Sequence, residues 1–99
     1  QTYRALRISR KDTTPLPGYD DNSFAQNADA NKRNYEDIIE ELKVLRKATI
    51  LLYKSLSDEA LTNIGICFNQ NISVAALGFV CVGHQQHHLK VIEEKYLGL

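Results

Sequence analysis

Ninety-nine residues set an upper bound of one domain, spanning 1–99. The apolar share of 43% and charged share of 24% are ordinary for a globular protein. Twelve basic and twelve acidic residues cancel, which removes the electrostatic case for nucleic acid or an anionic membrane as a partner.

Thr2 to Arg10 is the first predicted helix. Tyr3, Ala5, Leu6 and Ile8 alternate with arginines at 4, 7 and 10, and the basic end suits the negative pole of a helix. The stretch reads as the tail of a longer helix. The chain has no methionine, even at position 1, so a portion upstream of Gln1 is expected. The opening residues are polar and basic and show no secretory signal pattern.

Lys11 to Arg33 has no regular period. Within it, "TTPLPGYDDNS" gathers two prolines, a glycine and three Asx residues, which break helix and strand alike. A connection this long in a small domain is a packed crossover or serves a function. Tyr19 and Phe24 are the residues expected to pin it to the body.

Asn34 to Leu56 is the clearest element. Tyr35, Ile38, Leu42, Leu45, Thr49, Leu52 and Leu56 step alternately by 3 and 4, the seam of a helix in a bundle. Ile39 and Ala48 widen the stripe. Glu36, Asp37, Glu40 and Glu41 occupy its first half, and Lys43, Arg46, Lys47 and Lys54 its second, in accord with the helix dipole. Asn34 is placed as the N-cap.

Ser57 is expected to cap a short turn, "SDEALTNI", that Gly65 stops. "ICFNQNIS" reads as extended or hairpin-like, with its turn at Asn69 to Asn71. Ser73 then caps a last helix, Val74 to about Leu97. The longest apolar run, Ile72 to Val82, is broken by Ser73 and is too short to span a bilayer. Cys67 and Cys81 lie outside any C-x-x-C spacing. One disulfide between them is arithmetically possible; two buried free thiols are the favoured reading, and they point to a reducing, cytoplasmic setting.

All three histidines fall in "GHQQHH", residues 83–88. The seam of the last helix runs Val74, Leu77, Cys81, His84, His88, Val91, so two imidazoles stand where Leu or Ile is expected. At i and i+4 they share one face and can reach one metal ion. His87 is offset to the flank. A lone H-x-x-x-H is a weak signal, and histidines satisfied in other ways are the competing reading. Two features add weight to metal. An unpaired ring on a buried seam is costly. Gly83, unfavourable inside a helix, suggests close approach by another element. Loop acids Asp20 and Asp21 are within conceivable reach but read first as surface residues.

"YRALRISRKDTTPLPGYDDNSFA" and "GHQQHHLKVIEEKYL" resemble the DinB/YfiT-like superfamily, and the segments between them fit in the same order. The resemblance implies an all-α, four-helix bundle of up-down-down-up connectivity with a three-histidine site for Zn or Ni at one end. His84 and His88 match the second and third members of that triad. The first would lie roughly three turns before Tyr3. The expected architecture is thus the C-terminal two thirds of the family fold, without the first helix and much of the second.

Some members of that superfamily are thiol-dependent transferases or isomerases that use low-molecular-weight thiols such as bacillithiol or mycothiol, others were called hydrolases, and many have no known activity. Two functional hypotheses follow. One is a metal-dependent S-transferase or hydrolase acting on a small molecule. The other is a non-catalytic helical module with structural metal or none, whose main business is dimerisation. A homodimer or higher oligomer is expected in either case, because the two long apolar stripes need more partner surface than one short helix tail supplies.

Overall fold

A computed structural model describes residues 1–98 of the chain. Its elements are α1 (Thr2–Ser9), α2 (Asp21–Gln26), α3 (Tyr35–Ser55), α4 (Asp58–Thr62), the strands β1 (Ile64–Cys67) and β2 (Gln70–Ser73), and α5 (Val74–Val91). The fold is helical, as expected, with one small hairpin. The core sits where α1, the hairpin and the start of α5 meet. It buries Ala5, Ile8, Leu16, Cys67, Val74 and Leu77, with Leu52, Tyr53 and Leu56 of α3 packed against it.

Helix α1 ends in a left-handed turn at Lys11, φ 64°. The N–H of Lys11 donates to the Ile8 carbonyl and that of Asp12 to the Arg7 carbonyl. This pair of bonds is the Schellman termination, built here with lysine where glycine is usual. The turn places the Asp12 carboxylate 2.7 Å from Arg7 Nε and 2.9 Å from the Thr14 N–H. Hydrogen bonds from Thr14, and then from Arg7, lower the Asp12 pKa from 3.8 to about 2. Because the folded value is depressed, the stabilisation is complete above pH 3.8 and is lost as pH falls toward about 2. Asp12→Asn is therefore expected to unfold at lower denaturant than the unaltered chain at neutral pH, the gap closing below about pH 2. A gap that stays constant across that range would contradict the assignment.

The segment after α1 departs from expectation. Asp20 is an N-cap whose carboxylate accepts from the N–H groups of Asn22 and Ser23, so the Asx cluster starts a short helix rather than breaking one. A 3-10 turn follows at Ala30–Lys32. Tyr19 and Phe24 do not pin the loop. Both are exposed and stack on each other with ring centroids 4.5 Å apart. The loop is held by buried Leu16, whose N–H donates to the Ile66 carbonyl at 2.8 Å and whose carbonyl accepts from the Phe68 N–H.

Helix α3 opens on the expected cap: the Asn34 side chain accepts from the Glu36 N–H at 2.8 Å. Of its seam, Leu52 and Leu56 pack against the core, and Ile38 and Thr49 are half-buried. Tyr35, Leu42 and Leu45 are exposed. Ser57 caps α4 as expected, accepting from the Ala60 N–H. The helix stops at Asn63, however, and not at Gly65. Asn63 is placed to stop it by its other bonds: its side-chain amide donates to the Ser9 carbonyl at 3.2 Å, and its carbonyl accepts from the Val74 N–H. Gly65 lies in β1, where a Cβ would sit 2.5 Å from Ile8 Cγ1.

The hairpin is antiparallel with Ile64 opposite Ser73 and Cys67 opposite Gln70. Its turn is Phe68–Asn69, one step earlier than the Asn69–Asn71 expected. Both residues take positive φ, 54° and 63°, as two-residue hairpin turns require. Asparagine tolerates that conformation; phenylalanine rarely does. The Phe68 ring is held in place by Arg4, whose guanidinium lies 4.2 Å over it, and by Gly18, where a Cβ would stand 2.5 Å from the ring.

Ser73 caps α5, accepting from the Ala76 N–H at 3.1 Å. The helix runs on through a π-type turn, Ile92–Tyr96, close to the expected end. Tyr53 ties α3 to α5. Its hydroxyl donates to the Val74 carbonyl at 2.7 Å, and its ring packs where Gly78 has no side chain. Partial burial, with a smaller contribution from Cys81, pushes the Tyr53 pKa up to about 12. Both cysteines are free, but only Cys67 is buried. Cys81 is half-buried, because the core ends at Leu77, one turn earlier.

Candidate metal centre

Past Leu77, α5 leaves the core and carries its seam into the open. His84 and His88 are therefore exposed rather than buried on a packed face. The i, i+4 spacing still brings them together. Their rings stack with centroids 4.5 Å apart at 29°, and Nε2 of one lies 2.6 Å from Nε2 of the other. At that separation the two rings share a hydrogen bond, with donor and acceptor set by the tautomer of each. His87 stands edge-on to His88, centroids 5.6 Å apart, and stays on the flank as its offset required. The expected close approach at Gly83 is not seen: a Cβ there meets nothing within 4 Å. The glycine of α5 that a neighbour does approach is Gly78.

A groove of about 940 Å³ leads to the pair. It begins at Gln1 and Thr2, where the Thr2 hydroxyl bonds that of Thr49, and follows α3 and α5 to Ile92. Leu42, Leu45 and Leu89 give it an apolar lining. Lys43, Arg46, Lys47 and Lys54 also line it, and no described Asp or Glu does. The Arg46 guanidinium donates to Gln85 Oε1, which ties α3 to α5 one residue from His84. Sequence reading missed Arg46 and Gln85. Their only signal was position, each one step beside its helix's seam.

As donors for a divalent ion, His84 and His88 fit. Their Nε2 atoms lie side by side on one face, and since imidazole nitrogens bind Zn at ~2.0–2.1 Å, tetrahedral coordination by both would part them from 2.6 Å to roughly 3.3 Å. Among the described residues no third His, Cys, Asp or Glu joins them. Asp20 is engaged as the cap of α2, and neither it nor Asp21 lines the groove.

The fold and site define a small helical protein that displays an imidazole pair at the end of a cation-lined groove. The family model of the DinB superfamily matches residues 1–92. The chain belongs to that superfamily, as the histidine and loop motifs implied. Comparison with curated proteins and with solved structures gives no match. No helix of the described residues is long and apolar enough to cross a membrane.

Proposed function

We propose that this chain is a metal-dependent DinB-type protein, an S-transferase or hydrolase for small molecules, with Zn or Ni held by His84 and His88. The observation that carries the reading is the convergence of the two Nε2 atoms, 2.6 Å apart. His84 and His88 would hold the ion through Nε2, with the ring hydrogen of each imidazole on Nδ1. When bound, the ion supplies a Lewis acid that lowers the pKa of a thiol or water.

The chain's own groups do the rest. Leu42, Leu45 and Leu89 accept an apolar body, and Arg46, fixed by Gln85, offers a charge-assisted hydrogen bond to an anionic group. A low-molecular-weight thiol bearing a carboxylate supplies the anionic group, and an electrophilic co-substrate supplies the apolar body. The free cysteines support a reducing, cytoplasmic setting.

The test is turnover of a thiol-plus-electrophile pair and of simple esters and amides by the Zn- or Ni-loaded protein. Activity that is lost in His84→Ala and His88→Ala and kept in His87→Ala is the expected result. Activity unchanged in the double variant His84→Ala/His88→Ala would refute the assignment. Tight metal binding with no turnover would favour the second reading, a non-catalytic module, for which the two-donor set speaks.

A further inference from the structure

Between α1 and α3 the chain makes its long crossover, and of residues 13–37 only Leu16 is buried; all the others are exposed. An ion pair fixes each end of the crossover, Arg7 with Asp12 at the start and Arg33 with Glu41 at the finish. Between those posts the segment has one seat on the body of the protein.

That seat is built from three segments. Leu16 forms a parallel bridge with Cys67 on the edge of β1 that β2 leaves free. Bridged residues lie side by side with their side chains on one face, and both of these are buried, Leu16 at 5% exposure and Cys67 at 4%. Arg4 of α1 clasps the joint. Its guanidinium donates to the Pro17 carbonyl on the crossover at 3.0 Å and lies 4.2 Å over the Phe68 ring on the hairpin. Gly18 packs against the same ring. Phe68 presents that ring from a left-handed φ of 54°, which costs a phenylalanine strain. Asparagine there would make the turn more easily and lose the clasp.

We propose that residues 13–33 are a hinged flap, closed by the Leu16 seat and the Arg4–Phe68 clasp, which opens while the helices and hairpin stay folded and bares the Cys67 thiol. Segments with few buried contacts open at lower free energy than the whole fold. The flap rests on one buried side chain. Val74, by contrast, is fully buried and is bonded to Asn63 through its N–H and to Tyr53 through its carbonyl.

Native-state hydrogen exchange and iodoacetamide labelling of the full chain test this together. The Leu16 N–H, which donates to the Ile66 carbonyl, should exchange faster than the Val74 N–H. Its rate should hardly respond to low denaturant, because opening the flap exposes little surface. Cys67 should be labelled in the same regime, more slowly than half-buried Cys81, with mass spectrometry of the peptides separating the two. Arg4→Ala removes one cation–π contact and one hydrogen bond, so it should speed Leu16 exchange and Cys67 labelling by about tenfold and leave Cys81 within about twofold. Phe68→Asn should speed both as well, and should lower the global unfolding midpoint less than Arg4→Ala does, because it relieves the turn. Leu16 exchange or Cys67 labelling that occurs only through global unfolding overturns the proposal. So does a Cys67 rate that Arg4→Ala leaves unchanged, or raises no more than that of Cys81.

Discussion

Truncating Ile8 to alanine is expected to lower the unfolding free energy by about 2–5 kcal/mol, the range for emptying a buried aliphatic site. Ile8 is 1% exposed and is among the largest fully buried side chains. It sits on α1 and fills the space over Gly65 in β1, so it joins the first helix to the hairpin. Little surrounds it that can collapse into the void, since among the described residues the buried core has five other members. Against a total stability of about 5–15 kcal/mol, the loss is large. Gly65→Ala attacks the same contact from the other side. Its Cβ would lie 2.5 Å from Ile8 Cγ1 and 2.6 Å from Cδ1, which forces the isoleucine or the strand to move. Overpacking of this kind costs about 1–3 kcal/mol. Combining the two substitutions should cost less than their sum, because the new methyl enters the space the old side chain left. Denaturant midpoints at one fixed protein concentration measure all three. A loss under about 1 kcal/mol for Ile8→Ala would show that this contact does not organise the core.

The second large effect concerns metal. Removing either imidazole of the pair leaves a single nitrogen at the site, so His84→Ala and His88→Ala should each weaken Zn or Ni binding by more than the ~10–100-fold that loss of an outer-shell partner costs. His87→Ala should change affinity little, because its ring stands on the flank. Coordination needs neutral imidazole, so affinity should also fall on acidification. Calorimetric titration reads both. Equal losses in all three variants would place the ion elsewhere on the cluster. Affinity indifferent to pH would mean that histidines are not the donors.

Much of this was legible because it is local. Asn34, Ser57 and Ser73 cap their helices through bonds that span two or three residues. The 3–4 stepping of α3 and the i, i+4 pairing of His84 with His88 follow from helix geometry alone. The DinB motifs lie in the histidine block and the proline-rich loop, both short contiguous segments.

What sequence could not show depends on distant neighbours. Whether Asp20 breaks a helix or caps one turns on the backbone after it, since Asx residues do both. The hairpin turn fell on Phe68 because Arg4 and Gly18, far away in the chain, hold its ring. Gly65 reads as a stop and serves as a slot for Ile8. Gly83 reads as a contact and has none, whereas Gly78 receives Tyr53. Most important for the site, periodicity tells which residues share a face but not whether anything covers it. The seam of α5 was read as buried throughout, and the covering ends at Leu77.

The central claim is that α5 presents His84 and His88 as paired donors to one divalent ion. Nitrogen-15 chemical shifts of the three imidazoles, followed as Zn is added to the full chain, address it directly. Nε2 of His84 and Nε2 of His88 should shift together, at the same metal equivalents, while both nitrogens of His87 stay where they were. Coordination of His87 alongside only one of the two, or a titration that moves none of the three rings, would contradict it.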